Sequence, residues 1–538
     1  MPQTLDLNVE QAWNEAVERW NHPSVPAVIA SRSKDDIEGL GDIGAALQAE
    51  LAFMKYPEFQ TYANIAQISQ TFGAEAERGL KAVLKHEVGH RFTPYDTVTS
   101  IILDHAIQKE LGSKKLPYDK KSASRLILNL FTDMCINTNL ARNGDEDIPW
   151  AYQHISATKG DSKLWRVYAR SMELAWNKKL LPDGAKLSKE EQAASQELAD
   201  LFKDDYFDKT RWPDNVRRYA GVISKFLEDK QKDQGASLDP KSGQAPDTID
   251  EKTARELAKR LAEIGSNGLP TNPKGMKEFK DIMAGYGQGD PRKASIMFYD
   301  KLSDAYDVMF ATRPFGRPRA NPFQPIKWEP SMGADTLDVD YSVQSGGRII
   351  PGVSTYSWNT RKRDAFGGME EVVPDLDLYI DSSGSTTNPI EEISLFVLAS
   401  FVLAKKAHRK GAKIRSTNFS GNRQYKTEEY TRELDKVFEN FVIYYNGGTV
   451  FPTGQLASAQ SPRQVVVITD TFLGNEQETV DAITDLKRKH NENSATIYAL
   501  HPVANGDSFR RVGAQVIHGT TTDIFKEVIG RANQVYAK

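Results

Sequence analysis

Two short stretches of the chain hold residues that could do chemistry. The first is His86-Glu87-Val88-Gly89-His90. Two histidines at i and i+4 lie one turn apart on the same face of a helix, so both imidazoles can bind one cation. Glu87 stands beside them and can polarise a bound water. The second is Asp381-Ser382-Ser383-Gly384-Ser385, which follows Pro374-Asp375-Leu376-Asp377-Leu378-Tyr379-Ile380. Here a carboxylate and two hydroxyls, Asp381, Ser383 and Ser385, fall at alternate positions. Hard oxygen ligands crowded at the end of a strand suit a small hard cation such as Mg²⁺, which keeps several waters.

These groups need elements to position them. Leu80, Val83, Leu84 and Val88 recur at helical spacing, which predicts a helix over 74–92 that stops before Pro94. Catalytic zinc usually takes three protein ligands. The best third ligand lies in the helical run 126–137, where Asn129, Asp133 and Asn137 line one face of an otherwise apolar body. Such a buried stripe is costly without partners, and a metal with its surrounding hydrogen bonds would supply them. Asp133 as a plain helix-to-helix hydrogen-bond acceptor is the other reading. Asp104 and His105 are the runner-up ligands, with His105 as an ordinary half-buried histidine the simpler reading. For the oxygen site, Asp375 to Ile380 reads as a strand running into a polar turn, and ligands of open α/β sheets sit beyond such strand ends.

Two resemblances attach to these residues. H-E-x-x-H is the arrangement of zinc peptidases. The pattern D-x-S-x-S resembles the metal-ion-dependent adhesion site of von Willebrand factor A (VWA) domains. That family adds a Thr from a later loop, here in Asn446-Gly447-Gly448-Thr449, and an Asp ending a later strand, here in Val465-Val466-Val467-Ile468-Thr469-Asp470. The resemblance implies that Ser383, Ser385 and Thr449 touch the Mg²⁺, that Asp381 and Asp470 hold it through water, and that a partner's acidic side chain completes the octahedron. Val450 and Thr471 depart from the acidic residue and the glycine that related domains often carry there. H-E-x-x-H, then N-x-x-x-D-x-x-x-N, then a VWA-like region also looks like a family of predicted bacterial metallopeptidases fused to VWA-like domains. It covers residues 60–140 and 373–538. It implies zinc on His86, His90 and Asp133, with Glu87 as the base. Proteins of this sort often resemble partners of MoxR-type AAA+ ATPases. The expected function is therefore a zinc-dependent peptidase-like protein with a Mg²⁺-binding interaction domain, working with an AAA+ ATPase. The alternative is a non-enzymatic adaptor that recruits clients to such an ATPase, and a scaffold within a larger particle is a third option.

Composition bounds the rest. A chain of 538 residues is too long for one core, so roughly two to four domains are expected. A net charge of −4 without a dominant basic run argues against nucleic-acid binding. The single cysteine, Cys135, excludes an internal disulfide and suits a reducing compartment. Residues 1–7 lack the build of a signal peptide. The longest mainly apolar run, 393–404, is too short for a bilayer. A cytoplasmic protein without membrane contact is expected. No G-x-x-x-x-G-K-[ST] occurs, so ATPase activity is expected to come from a partner.

The fold class expected is multidomain: helical N-terminal and middle regions, then an α/β doubly wound VWA (Rossmann-like) domain. The segments are 1–145 helical and metallopeptidase-like, 146–232 helical, 233–250 a flexible linker, 251–312 helical, 313–372 a proline-rich connector with short strands, and 373–538 the VWA domain. Within them, 42–56 and 60–72 read as helices. Trp165, Tyr168, Met172 and Trp176 read as a core stripe, and Ser188 as the cap of a helix over 189–202. Pro314, Pro318, Pro322 and Pro325 read as too closely spaced for regular structure, and 337–358 as short strands. Beyond residue 375, strands are expected at 375–381, 412–419, 465–470, 495–500 and 515–518, and helices at 389–409, 427–438, 476–490 and 523–532.

Overall fold

Helix α1 (Val9–Arg19) is capped by Asn8, whose side chain accepts from the Gln11 amide, and it buries Val9, Ala12, Trp13 and Ala16. The structure is a computed structural model. It describes residues 7–21, 25–48, 50–55, 58–94, 96–156, 162–204, 206–230, 233, 245–263, 269–270, 274–311, 322–329, 331–332, 337–346, 349–360, 375–456, 463–469, 473–489, 495–499 and 506–536. These form two compact units, Met1–Leu257 with Asp281–Gly289 and Ala258–Lys280 with Asp290–Lys538. Most of the expected linker 233–250 lies outside the described residues. Among the described residues, no helix is long and apolar enough to cross a membrane.

In the first unit, the stretch expected to be two helices holds strands as well. Strands β1 (Ile29–Ser31), β2 (Ala52–Lys55) and β3 (Gln60–Asn64) form a small mixed sheet in the order β1-β3-β2. Only α3 (Asp42–Leu47) and α4 (Ile65–Phe72) remain helical there, after the short α2 (Lys34–Glu38). Cross-strand pairing overrides the apolar period: Phe53 opposes Tyr62 in antiparallel register, and their rings stack at 5.4 Å.

The rest of this unit is helical: α5 (Ala76–Gly89), α6 (Thr97–Leu111), α7 (Lys120–Arg142), α8 (Asp147–Ser156), α9 (Lys163–Trp176), α10 (Lys189–Leu201) and α11 (Trp212–Ile223). Asp96 and Asp119 cap α6 and α7, and Ser188 with Glu191 makes the capping box of α10. One hydrophobic core runs from Leu7 to Leu227 and includes Trp165, Tyr168, Met172, Trp176 and Cys135.

In the second unit, β4 (Pro322–Lys327) and β5 (Tyr356–Thr360) pair antiparallel. Pro322 and Pro325 thus sit in a strand, against expectation. Both strands of a two-stranded ribbon are edges, where a missing N–H is tolerated, and the register shifts between Pro322 and Gln324. Pro314 and Pro318 lie outside the described residues. The stretch 337–358 is half helix, because Asp338 accepts from the Tyr341 amide and starts a turn over Val339–Gly346.

The main sheet has β6 (Asp375–Asp381), β7 (Ile414–Phe419), β8 (Tyr425–Thr431), β9 (Arg463–Thr469), β10 (Ala495–Ala499) and β11 (Gln515–His518) in the order β11-β10-β9-β6-β7-β8. All neighbours are parallel except β7 and β8. The helix expected over 427–438 is therefore a strand followed by a helix at Leu434–Phe441. Its Tyr and Thr side chains suit an edge strand. The helix expected from Pro389 begins at Leu395, capped by Ser394. Tyr379, Val465 and Val467 meet Val480, Ile483 and Leu486 of the helix Glu476–Lys489 on one face. On the same strand face, Asp377 is clasped by Arg463 at 2.9 Å and lies 3.5 Å from Arg415, all three buried. The order reverses between β6 and β9, which opens a crevice at their carboxyl ends.

A charged clasp fixes α5 in the first unit. Lys85 Nζ lies 2.8 Å from both Asp145 and Asp147, and Arg78 bonds Asp147 at 2.9 Å. Burial alone would raise the Asp147 carboxyl, but the Lys85 and Arg78 bonds outweigh it and hold it below the ordinary aspartate value. A carboxyl depressed in the fold contributes stability present above its unfolded pKa and lost as pH falls through the lower folded value. We expect Asp147→Asn to lower the urea midpoint of this unit at neutral pH. The gap from wild type should close once pH drops well below about 3.9. A gap that stays constant through that range would dismiss the clasp as its source.

Candidate metal centre and oxygen-rich rim

Helices α5 and α7 bring the first set of residues together. Trp20 donates to the Lys85 carbonyl at 2.7 Å and stacks on Phe92 at 4.9 Å, seating the end of α5. Gly89 then permits a close approach to α7. A Cβ there would lie 2.4 Å from Ile136 Cγ2 and 2.9 Å from Trp20 Cζ2, closer than real contacts allow. His86, His90 and Asp133 meet in the gap, with candidate ligand atoms all within 4.8 Å of one another.

The hydrogen bonds around the two rings fix their tautomers. Asn137 donates its Nδ2 to the Tyr152 hydroxyl at 2.8 Å, so its Oδ1 faces His86 Nδ1 at 2.8 Å as an acceptor. His86 therefore carries its proton on Nδ1. His90 Nδ1 faces the Thr93 carbonyl at 3.2 Å, which can only accept, so it too is protonated there. Each Nε2 then carries a lone pair on the side of the shared group. Asp133 Oδ1 lies 3.6 Å from His86 Nε2 and 3.7 Å from His90 Nε2. Those separations are too long for direct hydrogen bonds. They are close to the roughly 3.3–3.6 Å between ligand atoms that share a tetrahedral zinc with bonds near 2.0–2.2 Å. The donor set thus fits a cation, and a buried His-His-Asp group could hold a metal ion.

The surroundings are sealed. His86 and Glu87 are 1% exposed, and His90 and Asp133 0%. Glu87 stands outside the converging trio. Asn129 donates to Asp133 Oδ1 at 3.3 Å, which orients the carboxylate. Burial, and then the Asp133 charge, push the Cys135 thiol well above its usual value, so it stays protonated. Asp104 is engaged elsewhere, accepting from Ser124 and from Gln108, and neither it nor His105 belongs to the converging group.

The second set sits at the crevice of the main sheet. Asp381 ends β6, accepts from the Ser383 amide at 2.8 Å and from Thr469 Oγ1 on β9 at 2.6 Å. Ser383 Oγ lies 3.1 Å from Ser385 Oγ. The loop of Thr449 is drawn alongside, since Asn446 donates to the Ser382 carbonyl at 3.1 Å and Gly384 to the Gly447 carbonyl at 2.9 Å. At Gly447 a Cβ would lie 2.3 Å from the Gln424 amide oxygen and 2.9 Å from Ser420 Oγ, so a larger residue would have to push these side chains aside. Asp381 and Ser383 are buried, Thr449 is half-buried and Ser385 is exposed, so this rim is open. Asp470 lies outside the described residues. The supporting Asn418 and Ser420, which bond Ser382, Gly447 and the Ile443 carbonyl, carry no recognisable motif. Asn137 did carry a signal, one turn beyond Asp133 on the same face. The Thr93 carbonyl carried none.

If Asn137 sets the His86 tautomer, Asn137→Leu should weaken divalent-metal binding by about 10–100-fold in chelator competition. Unchanged affinity would remove it from the centre. Neither a protein-family model nor a curated protein matches the chain, so the geometry of the two sites alone supports a functional reading.

Proposed function

We propose that the protein is a zinc-dependent peptidase-like protein with a Mg²⁺-binding, VWA-type interaction domain. The observation that supports the zinc centre is the pair of Nε2 atoms, each 3.6–3.7 Å from the same Asp133 oxygen. Imidazole and carboxylate suit zinc, as they also suit Fe²⁺. Bound by His86, His90 and Asp133, zinc would act as a Lewis acid toward a peptide carbonyl and acidify water. Glu87 takes the proton of the attacking water and returns it to the leaving amine. Asn137 and the Thr93 carbonyl keep both rings in the binding tautomer throughout.

The VWA-type reading draws support from the strand order, the antiparallel edge strand β8, and the meeting of Asp381, Ser383 and Ser385 with the Thr449 loop. Hard oxygens there suit Mg²⁺, with Asp470 as the remaining candidate ligand. An open rim of this chemistry takes a carboxylate from a partner protein, and a MoxR-type AAA+ ATPase is the partner class we propose.

A second reading is favoured by burial. A trio with no more than 1% exposure offers a peptide no approach in this conformation. The metal would then be structural and the protein an adaptor that recruits clients to the ATPase.

Two measurements separate these readings. Glu87→Gln should keep its zinc yet lose peptide hydrolysis by about 10²–10⁴-fold. Full hydrolysis in that variant rejects the mechanism, and a zinc-loaded wild type with no hydrolysis leaves the adaptor. Asp381→Ala should abolish Mg²⁺-dependent capture of the partner ATPase in a pulldown, and chelation with EDTA should do the same to wild type. Capture that ignores both would eliminate the metal-bridged interface.

A further inference from the structure

Asn475 stands immediately before the helix Glu476–Lys489. An asparagine at that position ordinarily accepts from the amides of its own helix. Asn475 is engaged elsewhere. Its Oδ1 accepts from the Phe451 amide at 2.9 Å, and its Nδ2 donates to the Phe451 carbonyl at 2.8 Å. The side chain's contact with its own helix is a long one, 3.4 Å to Glu478 Oε2. One side-chain amide thus takes both backbone polar groups of a single residue, as a paired strand residue would.

Phe451 lies two residues beyond Thr449 and acts as a peg. Its ring is buried against Tyr379 of β6 at 4.9 Å and Phe419 of β7 at 5.4 Å. The Thr449 carbonyl accepts from the Gly474 amide at 2.7 Å, and the Val450 amide donates to the Ser420 carbonyl at 2.7 Å. A Cβ on Gly474 would stand 3.2 Å from the Thr449 carbonyl oxygen, so the two segments run in close contact. Residues 449–451 are therefore held between the end of β7 and residues 474–475. Turning Asn475 toward Phe451 forgoes the cap of its own helix. The arrangement favours a fixed Thr449 over a stable helix start.

We propose that Asn475 is a positioning residue of the oxygen-rich rim: by clamping Phe451 it holds Thr449 in place, and so sets the rim's affinity for its divalent ion. The proposal rests on the Mg²⁺ reading above. Asn475 is not a ligand, and it acts through Thr449. Serine in its place is too short to span both Phe451 groups but can cap the helix, and leucine can do neither.

The test uses the full chain with its helical centre filled by one equivalent of Zn²⁺, then titrated with Mn²⁺ in place of Mg²⁺. The readout is loss of the free-Mn²⁺ electron paramagnetic resonance signal, and the binding that Asp381→Ala removes is the rim's. Asn475→Ser and Asn475→Leu should each weaken that binding about tenfold, as expected for a residue that orients a metal ligand. Asn475→Ser should melt no lower than wild type, because it restores the cap. In a Thr449→Ala background, Asn475→Ser should cause no further loss. Unchanged Mn²⁺ affinity in both Asn475 variants overturns the proposal, and so does a double variant in which the two losses multiply. A wild type with no Mn²⁺ binding that depends on Asp381 overturns this proposal and the Mg²⁺ reading together.

Discussion

The close contact of α5 with α7 at Gly89 is the constraint on which the nitrogen-rich centre depends. Aspartate's carboxylate oxygens lie only three bonds from its Cα. For Asp133 to come within 3.7 Å of two imidazoles on another helix, the helices must nearly touch. Any side chain at residue 89 would collide with Ile136, one turn from Asp133 on α7, and with Trp20 from α1. Gly89 is the last residue of α5, where glycine weakens the helix least, and its small size lets Trp20 and Ile136 pack against it. The glycine inside H-E-x-x-H is thus part of the geometry, although the motif leaves that position open.

The sheet reaches its own arrangement by a different route. Strand β6 lies at the point where the order reverses, so its carboxyl end faces a crevice instead of a neighbouring crossover. Asp381 ends the strand, and the turn after it is tied by backbone bonds to the loop of Thr449. Backbone bonds hold this rim because its polar groups sit on loops, whereas side-chain bonds hold the helical group. The difference in exposure follows. Loop groups beyond the carboxyl ends of the strands stay open, while groups on helix faces are covered by further helices.

Much of this was legible from spacing alone. Helices α5 and α7 announce themselves by apolar period, and the polar stripe of Asn129, Asp133 and Asn137 by its contrast with that period. Strand β6 and its polar turn read directly as well. Three of the misreadings share one cause. Residues 52–55, 60–64 and 425–431 became strands because they pair across short hairpins with neighbouring strands, and pairing is invisible to helical or apolar period. Proline 322 and Pro325 misled in the opposite sense, since local stiffness said nothing about an edge position. Strand order, the Thr93 carbonyl and the bond from Asn137 to Tyr152 are likewise properties of the folded chain.

Charge accounts for why a metal explains the helical core better than hydrogen bonds alone. Asp133 is fully buried, and its contacts include two imidazoles whose tautomers are already set by other acceptors. With the protons on Nδ1, neither ring can donate to the carboxylate through Nε2. Both Nε2 atoms stand 3.6–3.7 Å from one Asp133 oxygen, a spacing at which all three could bind one cation. A divalent ion there would be held by rings that Asn137 and the Thr93 carbonyl have already placed.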